Sequence, residues 1–158
     1  MMPQRVANEP YSILHTNELL CKIGYVSDPN CSFCHQTTET ISHIFFDCSF
    51  FISFWNMICE KILNKLSSCG WLSLEYRKII LGFLMGGMEM DLLNYILILG
   101  KTYLWTCRCK ETKPSFKHFE RILLNSYQTE KYISFKSNNI NLFKKKWISF
   151  EEMFLLNN

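Results

Sequence analysis

Four side chains able to ligate a metal ion fall within eighteen consecutive positions: Cys31, Cys34, His43 and Cys48, in the spacing C-x2-C-x8-H-x4-C. Zinc favours a tetrahedral shell of thiolate and imidazole, and two cysteines separated by two residues can aim both sulfurs at one ion across a tight turn. The pattern therefore predicts one structural zinc in a Cys3His site. A shell closed by four protein ligands leaves no position for an activated water, so hydrolytic chemistry is not implied. His43 and Cys48 are five apart, and on a continuous α-helix they diverge by roughly 140° at 3.6 residues per turn. They converge only if the backbone changes near 47–49.

Rival readings of these residues are weaker on chemical grounds. His35 adjoins Cys34 and would strain the same shell, while Cys21 belongs to a preceding helix pattern. A Cys-x-x-Cys redox pair needs a strand before it and a helix directly after it, and neither pattern is visible. Of the other cysteines, Cys59 and Cys107 fit apolar helix faces and Cys69 lies in a turn, while the spacing leaves Cys109 without a role. No apolar run reaches the 18 residues of a membrane span, and the N-terminal residues carry no secretory leader pattern. The expectation is a protein inside the cell, nuclear or cytoplasmic, with its cysteines reduced and without disulfides.

The remaining sequence reads as all-α, with a zinc knuckle near the N-terminus followed by a basic helical tail. No period-2 alternation or hairpin turn signal is long enough to define a sheet. Helices are expected over 11–23, closed by Gly24; from Ser49 as N-cap to about 66; over 75–84; from Asp91 as N-cap to about 112; over 115–133; and over a last stretch holding Leu142, Phe143, Trp147 and Phe150. The apolar stripe predicted for the second of these is Ile52, Trp55, Ile58, Cys59, Ile62, Leu63 and Leu66. Phe45, Phe46, Phe50, Phe51 and Phe54 exceed one stripe, so part of that run should meet another segment or a partner. Two regions follow, 11–68 around the metal site and 75–150 for the helical tail.

The formal charge of +3 conceals an asymmetry. Residues 1–100 carry 6 Lys and Arg against 9 Asp and Glu, residues 101–147 carry 11 against 3, and the last eleven carry two Glu. The segment totals are −3, +8 and −2. A basic C-terminal third suits a polyanionic partner, RNA or DNA most simply.

The residues around the ligands also resemble a known family. His15-Thr16-Asn17-Glu18-Leu19-Leu20, Cys31-Ser32-Phe33-Cys34, the run 39–48 from Glu-Thr through His43 to Cys48, and Phe54-Trp55 are similar in order and spacing to the zinc-binding domain that follows reverse transcriptase in LINE-type (non-LTR) retrotransposon polyproteins. Downstream, Leu99-Gly100-Lys101, Trp105, Arg108, Pro114-Ser115-Phe116 and Phe119 look like the tails of those polyproteins. Ser49 departs from the proline common there. The resemblance implies a zinc knuckle with a helical tail that binds RNA or DNA during target-primed reverse transcription, with polymerase and endonuclease chemistry in other segments. No Tyr-x-Asp-Asp signature is present, and 158 residues leave no room for a polymerase's fingers, palm and thumb. The chain is expected not to be an enzyme and to take no small-molecule substrate; its partners would be nucleic acid and a reverse transcriptase or another protein.

Lys101, Trp105 and Arg108 share one helix face, where two cations beside an indole suit single-stranded nucleic acid. The competing expectation is a Trp105 packed in the core and rimmed by cations. Lys117, Arg121, Lys144, Lys145 and Lys146 are candidates for phosphate contact through counterion release. Two other readings compete with nucleic-acid binding: a protein docking module using Phe46 and Phe50, and a translated retroelement remnant without activity.

Overall fold

The computed structural model describes residues 14–66, 76–83 and 88–154. Among these the regular elements are helical, and the only β-type pairing is an isolated antiparallel bridge between Asn30 and Thr38. Helix α1 spans Asn17–Lys22, a π-helical turn spans His43–Asp47, and α2 spans Ser49–Ile58. A second π-helical turn, Cys59–Leu63, leads into the short α3, Asn64–Leu66. After α4, Tyr76–Leu81, come the three long helices α5, Met88–Cys109, α6, Phe116–Lys136, and α7, Ile140–Phe154. No helix among the described residues is long and apolar enough to cross a membrane.

The helix ends follow from local chemistry. Thr16 caps α1, its hydroxyl accepting from the Leu19 amide at 3.4 Å, so this helix starts later than its apolar pattern suggests; 11–13 lie outside the described residues. Gly24 ends α1 at φ +76°, while the Tyr25 amide returns to the Leu20 carbonyl at 2.8 Å. Helices α5 and α6 close in the same way with non-glycine residues. Glu111 and Asn138 stand at φ +51° and +59°, and the Thr112 and Asn139 amides reach back to the carbonyls of Cys107 and Ser134. The short turns that result fold α5, α6 and α7 against one another.

Two expected caps are displaced. Cys48, in extended conformation at φ −70° and ψ 125°, is the N-cap of α2, and Ser49 is its first helical residue. Asp91 lies exposed inside α5, which begins at Met88. The α2 stripe is also rotated. Phe51, Phe54, Trp55 and Ile58 are buried at i, i+3, i+4 and i+7, whereas Ile52 is exposed and Cys59 half-buried. The cause is tertiary, because Phe33 of the cysteine loop packs edge-on to Phe51 at 4.9 Å and against Phe50 at 6.1 Å. The phenylalanine run thus meets another segment of the same chain.

One continuous set of buried side chains runs from Cys31 to Phe150. Leu92, Leu93, Ile96, Leu97, Tyr103 and Leu104 are among the side chains that α5 buries in it. Phe54 joins α2 to this set through edge contact with Phe119 at 5.3 Å and a tilted ring contact with Tyr103 at 5.4 Å. In the tail, Trp147 is fully enclosed by Tyr95, Tyr127, Phe143 and Phe150, and its indole N–H donates to Glu130 at 2.8 Å. The expected regions at 11–68 and 75–150 share this core, and 67–75, where they divide, is outside the described residues.

Candidate metal centre

The ligand cluster is built from two pieces of backbone. The first is the loop from Pro29 to Glu39, closed like a clasp: the Cys31 amide donates to Thr37 O at 2.9 Å and the Glu39 amide to Pro29 O at 2.8 Å. Inside it the chain turns tightly between the cysteines, with the His35 amide returning to Cys31 O at 2.9 Å. His35 stands in the left-handed region at φ +54°, which histidine tolerates better than most side chains. That backbone carries it out to solvent, so it is not a ligand.

The second piece is the turn that begins after Thr40. The Thr40 hydroxyl accepts from the His43 amide at 3.0 Å and its carbonyl from the Ile44 amide at 3.1 Å, an N-cap at the mouth of the ligand turn. The turn then widens to π geometry, closed by the Cys48 amide donating to His43 O at 2.8 Å. A hydrogen bond spanning five residues brings residues five apart back to one side, which an α-helix does not do. This is the backbone change that His43 and Cys48 require, placed slightly earlier than 47–49. Trp55 fastens the turn to α2: it is 3% exposed, and its indole N–H donates to Phe45 O at 2.8 Å.

Cys31 Sγ, Cys34 Sγ, His43 and Cys48 Sγ offer ligand atoms that all lie within 4.8 Å of one another. Cys31 Sγ and Cys48 Sγ are 4.0 Å apart, and Cys34 Sγ is 3.3 Å from His43 Nε2. Zinc bond lengths of 2.3 Å to sulfur and 2.0–2.1 Å to nitrogen imply tetrahedral edges of about 3.8 Å and about 3.6 Å. The separations and the sulfur-rich donor set therefore fit zinc, and the four residues could hold one such ion with no position left open. Cys31 and Cys48 are wholly enclosed, and the Phe33 amide lies 3.4 Å from Cys31 Sγ, where it supports a thiolate. Hydrogen bonding to Cys48 holds the Cys31 thiol down at about 4, and the same bond together with burial pushes Cys48 up, so the metal-free pair keeps one proton. Cys21 stands apart with Sγ 3.9 Å from Ser27 O; Cys107 is buried in the core, Cys109 is exposed, and Cys69 lies outside the described residues.

Residues 11–55 match the family model described as zinc-binding in reverse transcriptase. The similarity to that family covers this segment. All four cluster residues lie inside the zinc-binding domain so defined, as do Glu39, Thr40 and Trp55. No curated protein and no solved structure matches the chain in the other two comparisons.

The cations named from the sequence are distributed unevenly. Arg108 turns inward with a side chain 14% exposed, and its guanidinium is engaged by Glu39 and Asn17 of the zinc-binding domain. Trp105 beside it is half-buried, packed against the core with the Arg108 guanidinium 5.5 Å from its ring centre. Lys101 is half-buried, and burial lowers its pKa. Lys146 is held by Glu130 at 2.9 Å and lies 3.8 Å from the Tyr95 ring centre. Lys117, Arg121, Lys144 and Lys145 are exposed.

Glu39, which the ligand spacing does not single out, is buried next to the cluster. It is a carboxylate with no exposure at the crossing of the cysteine loop, α1 and α5. Its neighbour Thr40 turns out to cap the ligand turn. The Glu-Thr pair within the resembling run was the available signal.

Proposed function

We propose that the chain is a non-catalytic, zinc-ordered module that binds RNA or DNA in support of a reverse transcriptase of LINE type whose polymerase lies in other residues. The observation that carries this reading is the match of 11–55 to a zinc-binding domain of reverse transcriptases, joined to a tail segment of charge +8. Lys117, Arg121, Lys144 and Lys145 are the cations we assign to phosphate, since all are exposed. Lys117 also shares an open cleft of about 590 Å³ with Lys61, Lys65 and Phe116, where cations from both halves of the chain meet around one aromatic ring. Glu60 and Glu120 also line it, which favours a backbone-tracking contact over a strong anion pocket. Trp105, packed as it is, serves the core more than base stacking.

The test is fluorescence anisotropy with single-stranded RNA and single-stranded DNA across a salt series. On a single strand each phosphate neutralised adds about 0.7 to the slope of log affinity against log salt, so alanine at Lys144 and Lys145 should flatten the slope and weaken binding. Lys117→Ala with Arg121→Ala should do the same. Binding that ignores salt, or no binding at low salt, would contradict the proposal.

A second reading, docking onto a protein, is favoured by a different surface from Phe46 and Phe50, both of which are half-buried. Tyr132, Ile133, Phe135 and Leu142 are all more than half exposed near the α6 to α7 turn. Phe135→Glu should abolish such docking while leaving RNA affinity unchanged.

A further inference from the structure

Glu39 and Arg108 are 69 positions apart and meet inside the protein. Glu39 has no exposed surface, and a carboxylate in that position persists only with full hydrogen bonding and a countercharge. It has both. Oε1 accepts from the Asn17 amide at 2.9 Å and from Arg108 Nε and Nη2 at 3.0 and 2.7 Å, while Oε2 accepts from the Ser32 amide at 3.2 Å. Asn17 completes the ring: its Oδ1 accepts from Arg108 Nη2 at 2.6 Å, and its Nδ2 donates to Asn30 O at 2.7 Å and Ser32 Oγ at 3.1 Å. Asn30 and Ser32 are the residues on either side of Cys31. One buried network therefore grips the ligand loop on both sides of a metal-binding cysteine and ties it to the end of α5.

Neither Glu39 nor Arg108 belongs to the ligand cluster, so any effect on the metal is indirect. We propose that the two are positioning residues of the metal site, and that they make metal binding and the docking of the α5 end against the ligand loop mutually reinforcing. The physical reason is ordering. A loop already held by Glu39, Asn17 and Arg108 has less conformational freedom left to lose when the ion binds. Conversely, an ion that fixes Cys31 and Cys34 also fixes the Ser32 amide and the Asn30 carbonyl where the network needs them. Coupling of this kind must be equal in both directions. It concerns the metal site alone and does not depend on nucleic-acid binding.

The test uses the full chain as wild type, Glu39→Gln, Arg108→Met and the double variant, with zinc as the probe. Affinity is measured by competition with a chromogenic chelator after wild-type stoichiometry has been established. Each single variant should bind zinc about 10-fold more weakly, the low end of the cost of removing a direct partner of a metal ligand because neither residue touches a cluster side chain, and the double variant should be little worse than the weaker single one. A merely structural ion pair predicts wild-type zinc affinity in a less stable protein, and that result overturns the proposal. A second measurement needs no variant: amide hydrogen exchange over 104–109 in the wild-type chain, with zinc and after chelation. Faster exchange there on metal removal supports the coupling, and exchange in this segment that is identical in both states overturns it.

Discussion

At the scale of single residues, the ligand set rests on chemistry that substitutions can separate. Cys34→Ser removes a soft donor from a site whose other partners lie within 4.8 Å, and His43→Ala removes the imidazole. Either variant should bind less than one zinc per chain by elemental analysis and unfold at a lower temperature than wild type. Cys109→Ser, at an exposed position outside the cluster, should leave both unchanged. Acid should act in the same direction with or without metal. Protons compete with zinc for thiolate and imidazole, so the loaded form loses its ion as pH falls. In the metal-free form the Cys31 thiol is lowered from 9.0 to about 4, so its contribution is complete above 9 and lost as pH falls through about 4. Cys48, raised above 9.0, has the opposite sign, and its effect is confined to alkaline pH. Urea midpoints at pH 8 and pH 5 should therefore differ, with the lower midpoint at pH 5 for both forms. Equal midpoints would contradict this.

At the scale of elements, legibility depended on whether the cause was local. Gly24, the breaks after Thr112 and Ser137, and the two long tail helices could be read from nearby residues, because caps and apolar periodicity are short-range signals. The clustering of Cys31, Cys34, His43 and Cys48 is legible for the same reason, since a Cys3His spacing is a short-range signal. The rotation of α2 was not, because Phe33 in another segment chooses Phe51 over Ile52. Helix periodicity places Arg108 beside Trp105, and the two do meet, but its ion-pair partner Glu39 is distant in sequence and leaves no local signal. The close approach of α5 to α2 was likewise invisible. A Cβ on Gly100 would lie 2.8 Å from Trp55 Cη2, and Trp55 is held in place by its bond to Phe45 O. Gly100→Ala should thus destabilise by about 1–3 kcal/mol in urea unfolding, as overpacking does, despite the better helix propensity of alanine. An unchanged or raised midpoint would mean that α5 and α2 are not in this contact.

At the scale of the whole molecule, the zinc-binding domain and the tail share one core, and the acidic and basic parts of the chain are joined by it. The tail holds its own aromatic centre, so Trp147→Ala should cost about 3–5 kcal/mol, measured by urea unfolding with zinc present. Because the buried set is continuous, that loss should also lower the unfolding temperature of the front half. Separate transitions for the two halves would contradict a shared core. The charge asymmetry acquires a physical sense here: Arg108 and Lys146 neutralise Glu39 and Glu130 within the fold, while Lys117, Arg121, Lys144 and Lys145 face solvent.

Cys31, Cys34, His43 and Cys48 are proposed to hold one structural zinc. X-ray absorption at the zinc edge, on purified chain with its metal content measured in parallel, tests it most directly. One zinc per chain is expected, in a shell of three sulfurs at about 2.3 Å and one nitrogen at about 2.0 Å. A folded chain without zinc, or a shell in which oxygen replaces sulfur, would contradict it.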